Sequence, residues 1–314
     1  MKKKAIIVSI KSLSLSKKEK LLFSQEKPWG LILFKRNIKS LKQVHLLLKN
    51  VKKLTRDRNF PILIDEEGNS VSRLRNIINH DISANYFGDL YLRNKNLSKN
   101  LYRVYLKHLC KMLNYIGINV NTIPVLDILR KNTNKVIGNR SFSNEKKIVK
   151  EFGKITVQQC HANKIITVIK HIPGHGCATS DSHYKTPKVN LSYKHLNSID
   201  FFPFKSNQSK MAMTAHILYK KIDPKNVATF SKKIIKDIIR KKIGFKGLLI
   251  SDDLSMKALK YDLISNAKKS LNAGCNLVLY CAGNINDNFK LIKSVPYIDK
   301  FTLKKTSEIY KILR

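Results

Sequence analysis

The sequence predicts an α/β fold, a single (β/α)8 barrel that occupies residues 1–314 as one domain. Short runs rich in β-branched residues alternate with longer segments of helical apolar spacing, and eight such pairs follow one another. Runs that are apolar on both faces are typical of parallel strands covered by helices. Apolar residues make up 43% of the chain, which is enough for a large core. Eight β-then-α units in a chain of 314 residues favour a closed barrel over an open doubly wound sheet.

The eight predicted strands are short and end at turns or polar residues. They are AIIVSI (5–10), GLILF (30–34), PILID (61–65), INVNTIPVLD (118–127), IITVIKHI (165–172), KMAMTAHI (210–217), GLLISDD (247–253) and CNLVLYC (275–281).

Serine and glycine mark the ends of several predicted helices. Ser40 is expected to cap a helix whose apolar stripe runs from Leu41 to Val51. Two further pairs of expected start and end residues are Ser98 with Gly117 and Ser231 with Gly244. The segment DKFTLKKTSEIYKIL near the carboxyl terminus has the pattern of a basic amphipathic helix, and we expect its apolar stripe to cover the barrel.

Titratable residues gather where the predicted strands end. Asp65, Asp127 and the pair Asp252–Asp253 close three strands, and His216 closes another. The segment KHIPGHGCATSDSHYKTP (170–187) contains three more histidines and follows the fifth strand. Because active sites of (β/α)8 barrels lie at the carboxyl ends of the strands, we expect these groups to meet on one rim.

The net charge of +40 raises the question of nucleic-acid binding. The lysines are spread almost evenly along the chain, without a basic arm or an aromatic-basic ladder, and this pattern indicates solvated faces rather than a specific nucleic-acid site.

The five cysteines are scattered and contain no Cys-x-x-Cys pair, so we expect reduced, mostly buried thiols. The apolar run at the amino terminus ends at Lys11, too short for a signal peptide, and we expect a cytoplasmic monomer without membrane attachment.

Several chemistries fit the motifs poorly. His171 and His175 stand four residues apart, but Pro173 and Gly174 separate them and no His-Glu-x-x-His motif is present, so zinc is disfavoured. Neither a phosphate-binding Gly-x-x-x-x-Gly-Lys-Ser/Thr loop nor a Gly-x-Ser-x-Gly nucleophile motif occurs. We therefore expect no metal and no cofactor.

Acid/base chemistry with a carboxylate nucleophile remains. Glycoside hydrolysis needs a group that protonates the leaving oxygen and a carboxylate that meets the developing oxocarbenium ion. Asp252 could supply the carboxylate. Asp181 and His183 lie two residues apart, close enough in a bent loop for the carboxylate to orient the imidazole ring.

These motifs resemble a known family. The segments 170–187 and GLLISDDLSM (247–256) are similar to those of the bacterial β-N-acetylhexosaminidases of glycoside hydrolase family 3, the single-domain cytoplasmic kind that acts in cell-wall recycling. The resemblance runs in order from about Gly30 to Gly274. Further matching segments are GLILFKRN (30–37), IDEEGNSVSRL (64–74), PVLD (124–127), IGNRSFS (137–143) and AHILY (215–219).

The resemblance implies a role for each matching residue. Asp252 would be the nucleophile that forms a covalent glycosyl-enzyme with retention, and His183 would be the acid/base with Asp181 as its partner. The implied substrate is N-acetylglucosamine linked β-1,4 to 1,6-anhydro-N-acetylmuramic acid, with or without its peptide. The residues implied to hold the hydroxyl groups of the sugar are Asp65, Arg73, Arg140, Lys170 and His171.

The chain departs from the family pattern at two places. Where the family has Asp-Gln-Glu-Gly-Gly-Arg, this chain has DEEGNS (65–70), so that Asn69 replaces a glycine and Ser70 replaces an arginine. Where the family often has an acid after the first strand, Ser9 to Lys11 offer none. We expect these changes to affect affinity before activity.

Other polar residues on the rim have simpler expected roles. Asp253 is expected to bind loop amides, and Asp127 to accept internal hydrogen bonds or form an ion pair. His175 and His216 could equally stiffen the rim or contact substrate. The rival function for the whole chain is that of a catalytically decayed basic protein that binds RNA or anionic surfaces, which would bind with steep salt dependence and without turnover.

Overall fold

A computed structural model describes residues 2–78 and 81–314 and contains a closed barrel of eight parallel strands. The barrel strands are β1 (Lys4–Ser9), β2 (Pro28–Leu33), β3 (Ile62–Ile64), β4 (Val120–Asn121), β5 (Ile166–Ile172), β7 (Met211–Thr214), β9 (Leu248–Asp253) and β10 (Leu277–Leu279). Around the barrel these strands follow the order β1-β10-β9-β7-β5-β4-β3-β2, and all eight neighbouring pairs are parallel. A small parallel pair, β6 (Lys188–Val189) and β8 (Leu218–Tyr219), lies outside the barrel.

The predicted fold class is confirmed, and each of the eight predicted runs overlaps one barrel strand. The run 118–127 is the least regular, because its strand is limited to Val120–Asn121. Pro124 follows closely and has no N–H with which to continue a ladder. Pairing resumes at a single bridge between Val125 and Lys170. That the chain forms one domain over residues 1–314 stays a prediction.

Helices alternate with the strands around the outside of the barrel. The α-helices are α1 (Lys17–Leu21), α2 (Leu41–Thr55), α3 (Ala84–Arg93), α4 (Lys95–Ile116), α5 (Lys146–Ala162), α6 (Tyr193–Ser198), α7 (Leu263–Ala273), α8 (Ile285–Ser294) and α9 (Lys300–Ile312). Two π-helical segments cover Leu22–Glu26 and Ile234–Lys242. Short 3-10 turns cover Lys35–Asn37, Gly138–Arg140, Phe202–Phe204 and Ala228–Phe230.

Two of the three predicted helix starts are confirmed. The Ser40 hydroxyl accepts a hydrogen bond from the Gln43 amide at 3.2 Å, and the Ser231 hydroxyl accepts one from the Ile234 amide at 3.0 Å. The prediction that a helix starts at Ser98 is wrong, because α4 begins at Lys95 and is capped by Asn94. The Ser98 hydroxyl is buried and donates to the Phe87 carbonyl at 2.6 Å, which joins α4 to α3. 

The core has two layers, one inside the barrel and one between the strands and the helices. Helix α9 closes the end of the barrel where the strands begin. Its Ile309 is fully buried against the interior layer, and its Thr306 hydroxyl accepts a hydrogen bond from Trp29 Nε1 at 2.9 Å. The predicted amphipathic helix therefore covers the barrel. This leaves the carboxyl ends of the strands as the open rim.

The cysteines agree with the expectation of free, mostly buried thiols. All five cysteines are free, and Cys110, Cys160 and Cys275 are buried. Within residues 2–78 and 81–314, none of the helices combines the length and the apolar character that crossing a membrane requires.

Candidate active site

The carboxyl ends of the barrel strands surround an open cleft of about 380 Å³. The cleft brings together seven of the eight residues named from the sequence as catalytic or sugar-binding, and Asp181 lies behind its partner His183. The seven lining residues are Asp65, Arg73, Arg140, Lys170, His171, His183 and Asp252.

Asp65 lies directly after β3 and is held by two cations. Its carboxylate accepts hydrogen bonds from Arg73 Nη2 at 3.0 Å and Lys170 Nζ at 3.1 Å, and a short one from the Thr122 hydroxyl. Burial opposes its ionisation, but Lys170 and Arg73 outweigh burial and hold the pKa of Asp65 well below its usual value. Asp65 is thus a fixed anion with both oxygens engaged.

Glu67 forms the second ion cluster of the cleft, and no role was predicted for it from the sequence. Its two oxygens accept hydrogen bonds from Arg140 Nε at 2.7 Å and Nη2 at 2.9 Å, and its Oε1 lies 2.6 Å from Lys170 Nζ. Burial would raise the pKa of Glu67, but Arg140 and Lys170 lower it to about 2. The signal available in the sequence was its position two residues after Asp65, inside the matching segment 64–74.

Glu66, between these two acids, supports the loop from behind. Its carboxylate is buried and accepts hydrogen bonds from the backbone amides of Arg73 at 2.8 Å and Leu74 at 2.9 Å. Its backbone amide donates to Asn121 Oδ1 at 3.0 Å. These contacts fix the backbone of Arg73, so that its guanidinium reaches Asp65.

Asp127 has the internal role expected for it. Its buried carboxylate accepts hydrogen bonds from the backbone amides of His171 and His175, the latter at 2.6 Å, and lies 2.7 Å from His171 Nδ1. The ring of His171 is thereby oriented at the wall of the cleft. His175 also lines the cleft, and burial lowers its pKa to about 4, so its ring is neutral at pH 7.

His216 and Asp253 stiffen the rim at the end of β9. His216 Nε2 donates to the Asp253 carbonyl at 3.1 Å, and its Nδ1 lies 2.7 Å from the Thr229 hydroxyl. Burial lowers the pKa of His216, which agrees with a neutral ring in this arrangement. The Asp253 carboxylate accepts hydrogen bonds from the amides of Ser255 and Cys281, both at 3.1 Å, and so has the loop-binding role expected for it.

Asp252 faces the cleft from the same strand. Its Oδ1 accepts a hydrogen bond from the Asp253 backbone amide at 2.8 Å. Burial opposes ionisation, but His216, His171, this amide and Lys170 together lower the pKa of Asp252. In the described part of the chain, Asp252 forms no ion pair. It is therefore an ionised carboxylate that is not bound by a cation from the described part of the chain.

Asp181 and His183 form a pair on the loop above the cleft. Asp181 Oδ1 accepts hydrogen bonds from both the backbone amide and Nδ1 of His183, each at 2.8 Å. The His183 side chain is 59% exposed and lines the same cleft as Asp252. The loop is tied to the segment after β9, because the Ser182 carbonyl accepts the Ala258 amide at 3.1 Å.

One of the two departures from the family pattern lies at the edge of the cleft. Ser70 lines it, and its hydroxyl donates to Asn139 Oδ1 at 2.7 Å. Asn139 Nδ2 in turn donates to Asn69 Oδ1 at 2.9 Å. Asn69 adopts a positive φ of 41°, which asparagine tolerates better than most residues. At the other departure, the Ser9 hydroxyl accepts a hydrogen bond from Arg36 at 2.7 Å.

Within residues 2–78 and 81–314, no three His, Cys, Asp or Glu side chains are grouped as metal ligands.

Comparison with known families identifies the chain. The model of the glycosyl hydrolase family 3 N terminal domain matches residues 4–305. The chain belongs to glycoside hydrolase family 3. A beta-hexosaminidase from Nitrosomonas eutropha is 34% identical over 283 residues, which cover 88% of this chain and 80% of the relative. A beta-hexosaminidase from Haemophilus influenzae is 30% identical over 304 residues, which cover 93% of this chain and 85% of the relative.

Solved structures of the family share the barrel. NagZ from Neisseria gonorrhoeae, solved with N-trifluoroacetyl-D-glucosamine, superposes with a TM-score of 0.89 at 27% identity, covering 98% of this chain and 90% of that one. A family 3 β-N-acetylglucosaminidase from Paenibacillus shares the fold with a TM-score of 0.86 at 24% identity, and this chain covers 60% of it. The expected family is confirmed, and the chain is a glycoside hydrolase of the β-N-acetylhexosaminidase type.

Proposed function

We propose that this family 3 hydrolase is a retaining exo-β-N-acetylglucosaminidase of peptidoglycan recycling in the cytoplasm. Its substrate is N-acetylglucosamine linked β-1,4 to 1,6-anhydro-N-acetylmuramic acid, with or without a peptide. The matching segments 170–187 and 247–256 support this substrate, as does the N-acetylated glucosamine analogue bound in the Neisseria gonorrhoeae relative. The observation that carries the proposal is that Asp252 and His183 line one cleft.

The charges in the cleft support Asp252 as the proposed nucleophile. Three carboxylates line the cleft, and two of them, Asp65 and Glu67, are each bound by two cations. An oxygen that is bound by a cation is a poor nucleophile, because attack would cost it that ion pair. Asp252 is ionised and has no such partner among the described residues. It is the carboxylate free to bond to an anomeric carbon.

His183 supplies the proton. Its Nδ1 is engaged by Asp181, which leaves Nε2 to face the glycosidic oxygen. In the first step, a carboxylate oxygen of Asp252 attacks the anomeric carbon while the Nε2 proton passes to the departing oxygen. In the second step, neutral Nε2 takes a proton from water, the water oxygen bonds to the anomeric carbon, and Asp252 leaves as a carboxylate. Two displacements on one carbon retain its configuration.

An imidazole suits this position for an electrostatic reason. A carboxylic acid that has given up its proton becomes an anion close to Asp252, whereas imidazolium becomes neutral. With an imidazole no second anion forms beside Asp252, so electrostatic repulsion between the two groups does not increase during the second step. The exposure of His183 is consistent with a group that must meet both the leaving group and the incoming water.

The paired ions hold the sugar. Asp65, Arg73, Arg140, Lys170 and His171 bind its hydroxyl groups, and the ion pairs keep these side chains in one geometry. Two buried polar atoms on the wall have no hydrogen-bond partner among the described residues, Arg73 Nε and His175 Nδ1. A sugar hydroxyl is the kind of group that would satisfy such atoms.

A chromogenic aryl β-N-acetylglucosaminide tests the function. We expect release of N-acetylglucosamine by the wild-type protein, with the β-anomer formed first when the product is followed by NMR. Asp252→Asn keeps the shape of the side chain and should abolish turnover, whereas Lys131→Met, on an exposed lysine outside the cleft, should not. Absence of turnover in the wild-type protein, together with binding to RNA that weakens steeply with salt, would instead support the rival basic binding protein.

A further inference from the structure

One cation of the cleft has no partner among the residues that the structure describes. Of the basic side chains that line it, Arg73, Arg140 and Lys170 are each paired with Asp65 or Glu67. Lys135 also lines the cleft, and it forms no ion pair or hydrogen bond through its ammonium group with any residue that the structure describes. Its charge is thus available to a ligand.

The backbone around Lys135 is fixed on both sides. The Asn134 amide donates a hydrogen bond to the Ala178 carbonyl at 3.1 Å, which joins this part of the chain to the segment 170–187. The Val136 carbonyl accepts a hydrogen bond from Arg140 Nη1 at 2.8 Å, which joins it to the sugar-binding ions. Lys135 is exposed between these two anchors, so its flexible stem extends from a fixed point at the mouth of the cleft.

We propose that Lys135 binds a carboxylate on the leaving group of the substrate. This inference rests on the proposed function, because in an exo-acting enzyme the inner cleft holds the terminal sugar and the leaving group projects toward the mouth. An N-acetylhexosamine carries no charge, so Lys135 has no counter-ion on the sugar that is bound inside. Its partner is an anionic leaving group, whose carboxylate comes either from the lactyl ether of the second sugar or from an attached peptide.

The expected contribution is modest, because the ion pair would be partly exposed. Exposed pairs contribute up to about 1 kcal/mol, which corresponds to about two- to fivefold in kcat/KM. The whole protein also attracts anions through its net charge of +40. A test must therefore separate the local contact from this general field.

Lys135→Met and Lys131→Met remove the same charge from the same segment. Lys131 is exposed but does not line the cleft, so it serves as the matched control. Each variant is assayed on the bare disaccharide with a free lactyl carboxylate and on the same disaccharide with that carboxyl converted to a methyl amide. The quantity measured is the ratio of kcat/KM for the acid to kcat/KM for the amide, at low and at high salt.

We expect Lys135→Met to lower this ratio about two- to fivefold at low salt, with a smaller effect at high salt, and Lys131→Met to leave it unchanged. A peptide-bearing disaccharide, whose lactyl carboxyl is in amide linkage, identifies the source. Selective loss on this substrate, with an unchanged acid-to-amide ratio, assigns the contact to a peptide carboxylate. Equal effects of both lysine variants on every substrate overturn the inference while the proposed function stands. Failure to cleave any of the disaccharides, with the aryl glycoside still cleaved, overturns the proposed substrate as well.

Discussion

Asp181 Oδ1 accepts two hydrogen bonds from His183, one from its backbone amide and one from its ring Nδ1, both at 2.8 Å. The double contact closes a tight turn and fixes the direction of the ring at once. It holds an exposed side chain in one orientation on a loop above the cleft that Asp252 also lines. The rest of the ring is open to solvent. Because the side chain is exposed, we expect substitutions of His183 to affect the proposed catalysis more than folding.

His183→Ala should slow turnover according to the leaving group. A poor leaving group such as a sugar needs protonation, so we expect a loss of about 10²- to 10⁴-fold on a disaccharide. An aryl glycoside departs without full protonation, so its first step should lose much less. The measurement is kcat/KM for both substrates. Tyr184→Ala, on the exposed neighbour in the same loop, is the control and should have little effect. Equal losses for the two substrates would contradict the assignment of His183 as the acid.

Glu67→Gln should weaken both folding and binding. The change leaves buried Arg140 with a neutral partner and leaves Lys170 with Asp65 alone. Loss of one member of a buried ion pair costs about 3 kcal/mol of unfolding free energy, and KM should rise because the sugar-binding side chains lose their fixed geometry.

Denaturant unfolding and initial rates measure these two effects. Glu308→Gln is the matched control, because its carboxylate pairs with Lys305 at 2.8 Å on the outside of the barrel. We expect it to cost less than about 1 kcal/mol and to leave KM unchanged. If the two variants lost equal stability, the buried cluster would have no special structural role.

The eight strands could be predicted because each is buried on both faces, so its apolar run stands out in a lysine-rich chain. The position of Asp65, Asp252 and His183 on one rim followed from the barrel itself. The role of Glu67 could not be predicted from the residues alone, since its partner Arg140 is 73 positions away and only folding joins them. The start of α4 was misplaced for a similar reason, because Ser98 serves a tertiary contact instead of a cap.

The sequence also could not predict that the ring of His175 is neutral. Its ring is charged or neutral according to burial, and burial is a property of the folded loop. The backbone amide of His175 donates a hydrogen bond to Asp127, so this residue helps to hold the loop, while its Nδ1 remains available at the cleft. Both roles considered for His175 from the sequence are thus compatible with its position.

Unfolding free energy should fall as the pH drops from 6.5 to 4, in part because of His175. Burial lowers the pKa of His175 from 6.5 to about 4 in the folded protein. Between these values the unfolded chain binds a proton that the folded protein does not, so stability is present above pH 6.5 and is progressively lost toward pH 4. The full difference corresponds to about 3 kcal/mol for this one group.

Denaturant unfolding at several pH values measures this slope. His175→Asn should flatten it, and His45→Asn, on an exposed histidine of α2, should not. His161, outside the segment 170–187, provides a second test site. Burial also lowers its pKa to about 4. His161→Asn should flatten the slope as well, which keeps the prediction testable if the His175 variant folds poorly. If both variants gave the same slope as the wild type, neither histidine would be held neutral in the folded protein, and the proton difference between the two states would have another origin.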